Sequence, residues 1–348
     1  MFHNIWESVE NTSMKINSFG FKIFLLSLVL GALTACTKVK EPATLRIVSL
    51  PFISNAPFFI GIEEGYFEEQ GFTVELVAVD RTSQAIPALE QGEVHAVGGL
   101  VSTGTINAIV RGANIKAVAD KGYIVSTGCN SSALFASKEF VNAHPSKKPE
   151  DLKGAEISIV PASMTGYWVE ILLKQGNLTL DDIKDFRNSH PEKFELMQEG
   201  TIDLVTTDEP WLTRMIQANY GEIWVSYGDL VPDISYSFVW FGPTFLEDDR
   251  DLGNRFMVAY LKSVNQYNQG KTDRNLEILE KYLELDRDLL TAACWPAIRN
   301  DGSINPDGVL GFEEWALENE LIDGKLSVEQ FWDPSFIENA AKEISFSE

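Results

Sequence analysis

Four short segments of this sequence carry side chains that could bind a small molecule through hydrogen bonds. Each segment follows an apolar run that predicts a β-strand and opens a stretch with helical spacing. The candidate binding residues in these segments are Ser54, Asn55, Gly99, Ser102, Thr103, Ser163, Thr165 and Asp208. Backbone N–H groups and hydroxyls at helix N-termini suit an anionic or hydrogen-bond-accepting ligand. Ser, Thr and Asn are also the usual N-cap residues, so capping is favoured for any one of them and binding for at least some of the set.

Aromatic residues lie close to these segments and could stack on a flat ring. They are Phe52, Phe58, Tyr167, Trp168, Trp211, Tyr236 and Trp240. Taken singly, each is favoured as a core residue, because Trp and Phe usually bury. Trp168 directly follows a glycine-bearing loop, and Trp240 lies in a predicted crossing segment, so these two are the strongest exceptions. Tyr167 and Trp211 complete the aromatic candidates for the ligand wall.

The charged residues near the four segments restrict the ligand. Asp208 and Glu209 could bind an amine, or they could complement the positive helix N-terminus beside Pro210, which is favoured for Glu209. Lys121 and Arg81 are the nearest basic residues. A carrier of a small bare anion would aim several donors at it, and backbone N–H groups could only partly replace them. The sequence therefore favours a neutral or weakly charged heteroaromatic ligand.

Few residues here could serve a metal, a cofactor or a covalent reaction. The four histidines are scattered, at His3, His95, His144 and His190, and there is no cysteine cluster. The sequence therefore predicts no metal site, no cofactor and no enzyme activity. Cys129 and Cys294 could form a disulfide, but the sequence cannot show that their Cα atoms come within bridging distance. Two separate buried thiols are the favoured interpretation.

The elements that position these residues alternate between strand and helix. Leu45–Leu50 is predicted as a strand, Ala56–Glu69 as a helix and Phe72–Val79 as a second strand, which implies a parallel pair with a crossover. A similar α/β unit follows Asp151, with a strand at Glu156–Val160 and a helix at Met164–Gln175. Near the carboxyl end, Ser327 and Gln330 have the spacing of a capping box. The strand-like runs at 131–138 and 234–241 are candidates for the segments that cross between the two units. One loop, Gly98–Thr103, is predicted to follow a strand at Val94–Val97.

The amino-terminal segment has the order of an export signal. Basic residues precede an apolar stretch at Ile23–Leu33, which is too short to span a bilayer. Leu33-Thr-Ala-Cys36 resembles the lipobox of bacterial lipoproteins. We therefore expect residues 1–35 to be removed, Cys36 to carry the lipid, and residues 36–44 to tether an extracytoplasmic, membrane-anchored fold. The alternative is a cysteine beside an ordinary signal cleavage site.

Composition excludes some functions and permits others. The chain of 348 residues is 45% hydrophobic, enough for two folded lobes. Its formal net charge of −23 repels nucleic acid and anionic lipid headgroups, and no cluster of Lys and Arg offsets it. The sequence therefore predicts a folded protein whose partners do not include nucleic acid.

A series of motifs, in order along residues 45–342, resembles solute-binding proteins of ABC importers. The family includes carriers of alkanesulfonates, taurine, nitrate and thiamine-pyrimidine precursors. The motifs lie at Ala56–Leu76, Ala88–His95, Gly112–Val118, Asp151–Ala155, Met197–Asp203, Asp208–Thr213, Asn300–Asn305 and Trp332–Ala340. One departure from the family pattern is His95, which stands where the family usually has Asp.

The resemblance implies a two-lobed periplasmic-binding-protein fold of type 2, in the α/β class, with a mostly parallel sheet in each lobe. Lobe 1 would comprise residues 45–130 and 238–348, and lobe 2 residues 131–237. The ligand would sit between the lobes, where strand ends and helix N-termini collect.

The resemblance also implies a function. A monomer would capture a vitamin precursor or similar solute by hinge closure and deliver it to a membrane permease with its ATPase. Alkanesulfonate and nitrate are less favoured solutes. The alternatives are a thiamine-pyrimidine-synthase-like enzyme on the same fold and a lipoprotein that presents its ligand to a receptor.

Overall fold

Ten strands in two five-stranded sheets form the framework of the part of the chain that the structure describes. The structure is a computed structural model that describes residues 42–79 and 84–347. The strands are β1 (Ala43–Val48), β2 (Phe72–Val77), β3 (Ala96–Leu100), β4 (Lys116–Tyr123), β5 (Ser132–Ser137), β6 (Glu156–Ser158), β7 (Lys184–Phe186), β8 (Leu204–Asp208), β9 (Gly221–Ser226) and β10 (Ser235–Phe241). Sheet 1 has the order β2-β1-β3-β10-β4, and sheet 2 has the order β7-β6-β8-β5-β9. We use lobe 1 and lobe 2 for the parts built on sheet 1 and sheet 2.

Helices flank both sheets. They are α1 (Ala56–Glu63), α2 (Tyr66–Glu69), α3 (Ile86–Glu90), α4 (Thr103–Val110), α5 (Lys138–Ala143), α6 (Met164–Gln175), α7 (His190–Glu199), α8 (Trp211–Gln217), α9 (Tyr227–Leu230), α10 (Arg250–Tyr267), α11 (Asp273–Leu283), α12 (Arg287–Ala292), α13 (Asp307–Glu318), α14 (Val328–Phe331) and α15 (Ser335–Ser347). A π-helical turn at Thr244–Asp248 precedes α10. No helix of the described residues is long and apolar enough to cross a membrane.

One strand in each sheet runs against the others, and the path of the chain explains why. In sheet 1, β10 is antiparallel to β3 and β4, and in sheet 2, β5 is antiparallel to β8 and β9. The parallel strands end at the edge that faces the other lobe. The strands β5 and β10 are the first that the chain forms after crossing between lobes, so they begin at that edge. The predicted mostly parallel α/β fold in two lobes is confirmed.

Each sheet is covered by apolar side chains on both faces. In sheet 1, Ile47 and Val239 face one cluster, which also contains Phe58, and Val97 and Trp240 face the other. In sheet 2, Leu204 and Val205 face opposite clusters. Burial on both faces is typical of parallel sheets enclosed by helices.

Two local predictions were wrong. The predicted helix Ala56–Glu69 is broken at Gly65, whose φ of +75° a helix cannot contain. Gly98 and Gly99 lie inside β3, not in a loop after it. A Cβ atom at Gly98 would lie 2.5 Å from Phe58 and 2.6 Å from the side-chain oxygen of Asn55, so the glycine admits close packing within a strand.

The favoured interpretation of the cysteines was also wrong. Cys129 and Cys294 form a disulfide, with Cα atoms 5.7 Å apart. Cys129 is exposed in the segment between β4 and β5, and Cys294 is buried. Their 165-residue separation in sequence gave no indication of this approach, because it depends on how the carboxyl-terminal helices pack against the crossing segment. The predicted lobe boundaries stay predictions, and Cys36 and the signal segment lie outside the described residues.

Candidate functional site

Two of the predicted binding segments meet where the lobes face each other. Ser102, at the end of β3, pairs with Ser163, at the start of α6, as an isolated antiparallel bridge. The Thr103 hydroxyl lies 3.4 Å from the Ala162 carbonyl oxygen, to which it donates. These contacts join lobe 1 to lobe 2 directly, so the structure is closed at this edge of the cleft.

The hydroxyls of these two segments are occupied by helix capping. Ser102 Oγ accepts a hydrogen bond of 3.1 Å from the Thr105 amide, and Ser163 Oγ accepts one of 3.2 Å from the Gly166 amide. The Thr165 hydroxyl lies 3.0 Å from Ser163 Oγ. Capping therefore accounts for Ser102 and Ser163 without a ligand. Their remaining contribution to a site is to hold the two lobes in register.

A polar group from lobe 1 forms one side of the cleft. Asn55 is buried and does not cap α1; its amide nitrogen donates a 2.7 Å hydrogen bond to the Leu50 carbonyl, and its side-chain oxygen has no partner. The neighbouring Ser54 hydroxyl accepts a 2.8 Å hydrogen bond from Lys121 Nζ. Burial lowers the pKa of Lys121 to about 7, although the charge of Asp120 opposes this. This side of the cleft therefore offers an unpaired acceptor beside a buried amine.

Aromatic rings form the middle of the site. The Trp168 ring of α6 lies 4.8 Å from that of Tyr227, at the start of α9, and 5.7 Å from that of Tyr236 in β10. The Trp168 indole N–H and the Tyr227 hydroxyl are buried without a hydrogen-bond partner. Burial raises the pKa of both tyrosine hydroxyls, and the nearby Asp208 carboxylate adds to the effect, so both stay protonated. The three rings pack together in a buried cluster, in which the polar atoms of Trp168 and Tyr227 are left without a partner.

Asp208 and His190 form the lobe 2 side of the cleft. The Asp208 carboxylate accepts a hydrogen bond from the Ser132 hydroxyl. Burial lowers the pKa of His190 to about 4, against the attraction of Asp208, so the imidazole is neutral near pH 7. His190 Nδ1 has no partner. The imidazole packs edge-on against Phe52 of lobe 1, with ring centroids 5.5 Å apart.

Glu209 has a different role from its neighbour Asp208. Its carboxylate accepts hydrogen bonds of 3.1 Å and 2.7 Å from the amide and hydroxyl of Thr213, in the first turn of α8. It also accepts one of 2.9 Å from the Cys294 amide of lobe 1. Burial raises the pKa of Glu209, and these hydrogen bonds oppose the rise. Its oxygens are thus engaged by the helix N-terminus and by the other lobe.

Several predicted residues lie elsewhere. Trp240 is fully buried in lobe 1, where its ring packs against Phe331 at 5.6 Å and its N–H donates to the Gly99 carbonyl. The Gly99 carbonyl therefore takes part in the same core contact. A crossing strand places alternate side chains on opposite faces, and the position of Trp240 near the end of β10 takes it away from the cleft. We therefore leave Trp240 and Gly99 out of the candidate site.

Tyr167 and Trp211 lie at the sides of the site. Tyr167 packs against Phe312 and Trp315 of lobe 1, with centroids 6.1 Å and 5.4 Å apart. Trp211 is half-buried and stacks on His190 at 6.2 Å. Tyr167 therefore packs between the two lobes, and Trp211 packs against the His190 imidazole on the lobe 2 side of the cleft.

Sequence reasoning missed Tyr227 and His190 as site residues. The signal for His190 was present: Ser189 and Glu192 form a capping box, which opens α7 at a strand end. Tyr227 follows β9 in the second crossing segment, where no pattern marked it. No group of three or more His, Cys, Asp or Glu residues that could hold a metal occurs within residues 42–79 and 84–347.

Comparisons with known proteins agree with this architecture. The model of the NMT1-like family matches residues 38–279. The bicarbonate-binding protein CmpA of Synechococcus elongatus is 23% identical over 203 residues, which cover 52% of this chain and 44% of that protein. The chain therefore spans less than half the length of the curated relatives it matches.

Solved structures share the fold at low sequence identity. The ligand-binding component of an ABC-type import system from Staphylococcus aureus has a TM-score of 0.69 and 18% identity, over 86% of this chain and 99% of that chain. The aliphatic sulphonate binding protein SsuA from Escherichia coli has a TM-score of 0.68 and 16% identity, over 84% and 93%. The desulfurization enzyme DszB has a TM-score of 0.62 and 14% identity, over 87% and 99%. Both binding proteins and an enzyme therefore have this architecture.

Proposed function

We propose, since this chain belongs to the NMT1-like family, that it is the solute-binding component of an ABC importer. Its place would be outside the cytoplasmic membrane, and its partners a permease and an ATPase. The relatives named for binding bicarbonate and aliphatic sulphonate support a carrier function in general. They do not specify the solute of this chain, because their sequences are only 23% and 16% identical to it.

The observation that carries this proposal is a set of buried polar atoms without partners at the junction of the two lobes. Asn55 contributes one from lobe 1, and Trp168 and His190 contribute two from lobe 2. Tyr227 adds its hydroxyl from the second crossing segment. Burying a polar group without a hydrogen bond costs about 1–3 kcal/mol, so such a cluster favours a site that a ligand completes.

We propose a small organic solute with a flat ring, such as a vitamin or pyrimidine precursor, as the cargo. Three aromatic rings meet at the site, at Trp168, Tyr227 and Tyr236. The unpaired atoms include donors and an acceptor, which matches a heteroaromatic ring better than a bare anion. Lys121 is a basic residue at the described site, whereas Arg81 lies outside the described residues.

Capture would proceed by hinge closure. The chain passes between the lobes twice, at residues 124–131 and 227–234, and these segments are short enough to act as a hinge. The bridge between Ser102 and Ser163 would then form on closing and break on opening. A lipid on Cys36 would hold the monomer to the membrane surface, within reach of its permease.

A titration of tryptophan fluorescence would test the proposal. We expect an aminopyrimidine to change the emission of the purified chain and to raise its Tm. A dissociation constant near the micromolar range corresponds to about −8 kcal/mol. Bicarbonate, nitrate and an aliphatic sulfonate serve as comparison solutes. In parallel, mass spectrometry of gently extracted protein would identify any solute that co-purifies.

Two matched variants make the titration specific. Trp168→Phe should lose most of the fluorescence response and bind more weakly, while Trp224→Phe, altered in the lobe 2 core, should respond like the wild type. The carrier proposal fails if no solute changes emission or Tm and nothing co-purifies. Chemical conversion of a bound solute, followed by NMR, would instead favour the enzyme alternative.

A further inference from the structure

The two cysteines of the disulfide differ in their access to solvent. Cys129 belongs to a run of exposed residues, 126–129, in the first crossing segment. Cys294 is 8% exposed and lies shortly after α12, against the start of α8. A thiolate that cleaves a disulfide must reach one of the two sulfurs, so the exchange depends on access as well as on thiol chemistry. The structure therefore leaves Cys129 as the end of this disulfide that is open to attack.

The disulfide closes a ring of contacts between lobe 1, lobe 2 and the first crossing segment. The Cys294 amide donates a 2.9 Å hydrogen bond to the Glu209 carboxylate, and the Glu209 amide donates one of 2.9 Å to the Ser131 carbonyl. Ser131 follows Cys129 by two positions, so the backbone and the disulfide complete the ring. Without the disulfide, two hydrogen bonds alone would hold this ring together.

The second crossing segment packs against the first. A Cβ atom at Gly228 would lie 2.3 Å from Asn130 Oδ1 and 2.4 Å from the Val125 carbonyl oxygen, so the glycine admits a contact that a larger residue would not. The Ile124 amide also donates a 2.9 Å hydrogen bond to the Ile234 carbonyl. A shift of the first crossing segment therefore reaches the second, and with it the whole hinge.

We propose that this disulfide is a redox modification site, reduced by a protein dithiol, and that its reduction loosens the hinge. A thiolate of the reductant attacks Cys129 and forms a mixed disulfide, while the bond to Cys294 breaks. The Cys294 sulfur leaves with the electron pair and takes up a proton. The second thiol of the reductant then attacks the reductant's own sulfur and releases Cys129 as a thiol, so that one dithiol is oxidised for each disulfide reduced.

Two single-cysteine variants test the asymmetry of the site. Cys294→Ala leaves Cys129 as an exposed thiol, and Cys129→Ala leaves Cys294 as a buried one. Iodoacetamide should modify Cys129 at least about tenfold faster than Cys294 in the native variants, and at a similar rate in urea. Mass spectrometry of the peptide that carries each cysteine measures the rates. Equal rates in the native variants would overturn the assignment of Cys129 as the attacked end.

The wild-type chain gives the same test without a substitution. Glutathione, added to the oxidised chain and quenched with acid, should be found as a mixed disulfide on Cys129. An adduct found chiefly on Cys294 would overturn the proposed direction of attack.

Hydrogen exchange measures whether reduction reaches the hinge. In the wild type treated with dithiothreitol, peptides that contain Glu209 and Cys294 should exchange about tenfold faster than in the oxidised chain. The control is a peptide that contains Lys184, whose amide donates to the Ala155 carbonyl within lobe 2, and its rate should not change. No change in any peptide would overturn the effect on the hinge, as would an equal rise in all three, which would indicate a general loss of stability.

The effect on solute capture rests on the proposed carrier function, whereas the exchange chemistry does not. The aminopyrimidine of the fluorescence titration should bind the reduced chain about tenfold more weakly than the oxidised chain. Equal affinities would overturn the link between redox state and capture. If no solute binds either redox state, the carrier proposal fails, and the alkylation and hydrogen-exchange results alone decide the redox site.

Discussion

Two of the regions where the lobes meet have opposite chemistry. On the cleft side, Asn55, Trp168 and Tyr227 each bury a polar atom without a partner. On the other side, a segment that we call the strap, residues 294–299, contacts both crossing segments, and its polar groups are bonded. The strap therefore holds the fold together, and the cleft keeps its hydrogen-bonding capacity for a ligand.

Arg299 connects the strap to both crossings. Its amide donates a 2.9 Å hydrogen bond to Asp120 Oδ2, and its guanidinium donates to Ser235 Oγ at 2.6 Å and to the Asp233 carbonyl at 3.3 Å. The guanidinium also lies 4.0 Å above the Tyr123 ring. Tyr123 precedes the first crossing segment and Ser235 follows the second. The Arg299 side chain therefore contacts both crossings at the point where each joins sheet 1.

Cys294 connects the strap to the first crossing and to lobe 2. The disulfide with Cys129 joins it covalently to the segment between β4 and β5. Its amide donates to Glu209, at the start of α8. The comparison teaches that where the lobes pivot the polar groups of the strap are bonded, and the unbonded Asp120 Oδ1 lies 3.8 Å from the Arg299 guanidinium, whereas where the lobes close several polar atoms have neither a hydrogen bond nor an ion pair.

The largest expected effect comes from removing the covalent part of the strap. Replacing both Cys129 and Cys294 by Ala should lower the free energy of unfolding by about 4 kcal/mol, since the closed loop is long. Urea denaturation measures the loss, and reduced wild type should unfold at a similar midpoint. An unchanged midpoint would show that the strap does not depend on the disulfide.

The next largest effect comes from Arg299→Ala. The change leaves the buried Asp120 carboxyl without its guanidinium neighbour, 3.8 Å away, and should cost about 3 kcal/mol of unfolding free energy. Arg187→Ala, at an exposed position, should change stability by less than about 0.5 kcal/mol. Equal losses of unfolding free energy in the two variants would show that Arg299 does not stabilise the hinge.

Two buried tryptophans differ in whether the indole N–H has a hydrogen-bond partner. Trp315 donates a 2.6 Å hydrogen bond to Glu170, whereas the Trp168 N–H has no partner. Both are buried, so Trp→Phe removes similar volume from each. We expect Trp315→Phe to lose about 1–2 kcal/mol more stability than Trp168→Phe, by urea denaturation. The comparison of hinge and cleft would be weakened if Trp168→Phe were the more destabilising change.

The smallest expected effect is a pH dependence at Asp120. Burial raises the pKa of this carboxyl to about 7 in the folded chain, against the opposing charge and amide of Arg299. Between 3.8 and that value, the folded state holds a proton that the unfolded state releases, so rising pH destabilises the wild type. Relative to Asp120→Asn, the loss should approach about 1.4 kcal/mol per pH unit.

Denaturation midpoints at about pH 5 and about pH 6 would measure that difference. Above the folded pKa of Lys121, the sign reverses: the unfolded amine keeps its proton and the folded amine releases it, so stability rises with pH. Asp185→Asn, at an exposed carboxyl, should show no comparable divergence from the wild type. Parallel pH curves for the wild type and Asp120→Asn would contradict the prediction.

Much of the fold could be predicted from the sequence because its signals are local. The helix at Met164–Gln175 was predicted with the bounds that the structure has, since apolar periodicity and the Ser163 cap act within a few residues. The capping box of Ser327 and Gln330 could also be recognised from the sequence, because its two residues are three positions apart. The strand-like runs at residues 131–138 and 234–241 are β5 and β10.

The site was predicted less well because its members come together only through packing. Asn55 and Trp168 were identified from their places at strand ends, and both bury an unpaired atom. Trp240 was chosen because it lies in a predicted crossing segment, and it is buried in the core, since position in a strand alone does not give the direction of a side chain. Tyr227 had no local signal, and its importance depends on a ring contact with Trp168 across the chain.

The sequence by itself determined the order of strands and helices, the acidic charge and the family to which the chain belongs, because each is a property of residue type or short-range spacing. Only the tertiary structure decided which cysteines pair and which indole N–H is left without a partner. Those outcomes depend on contacts between residues far apart in the sequence, 165 positions for the disulfide, and no local pattern records such a contact.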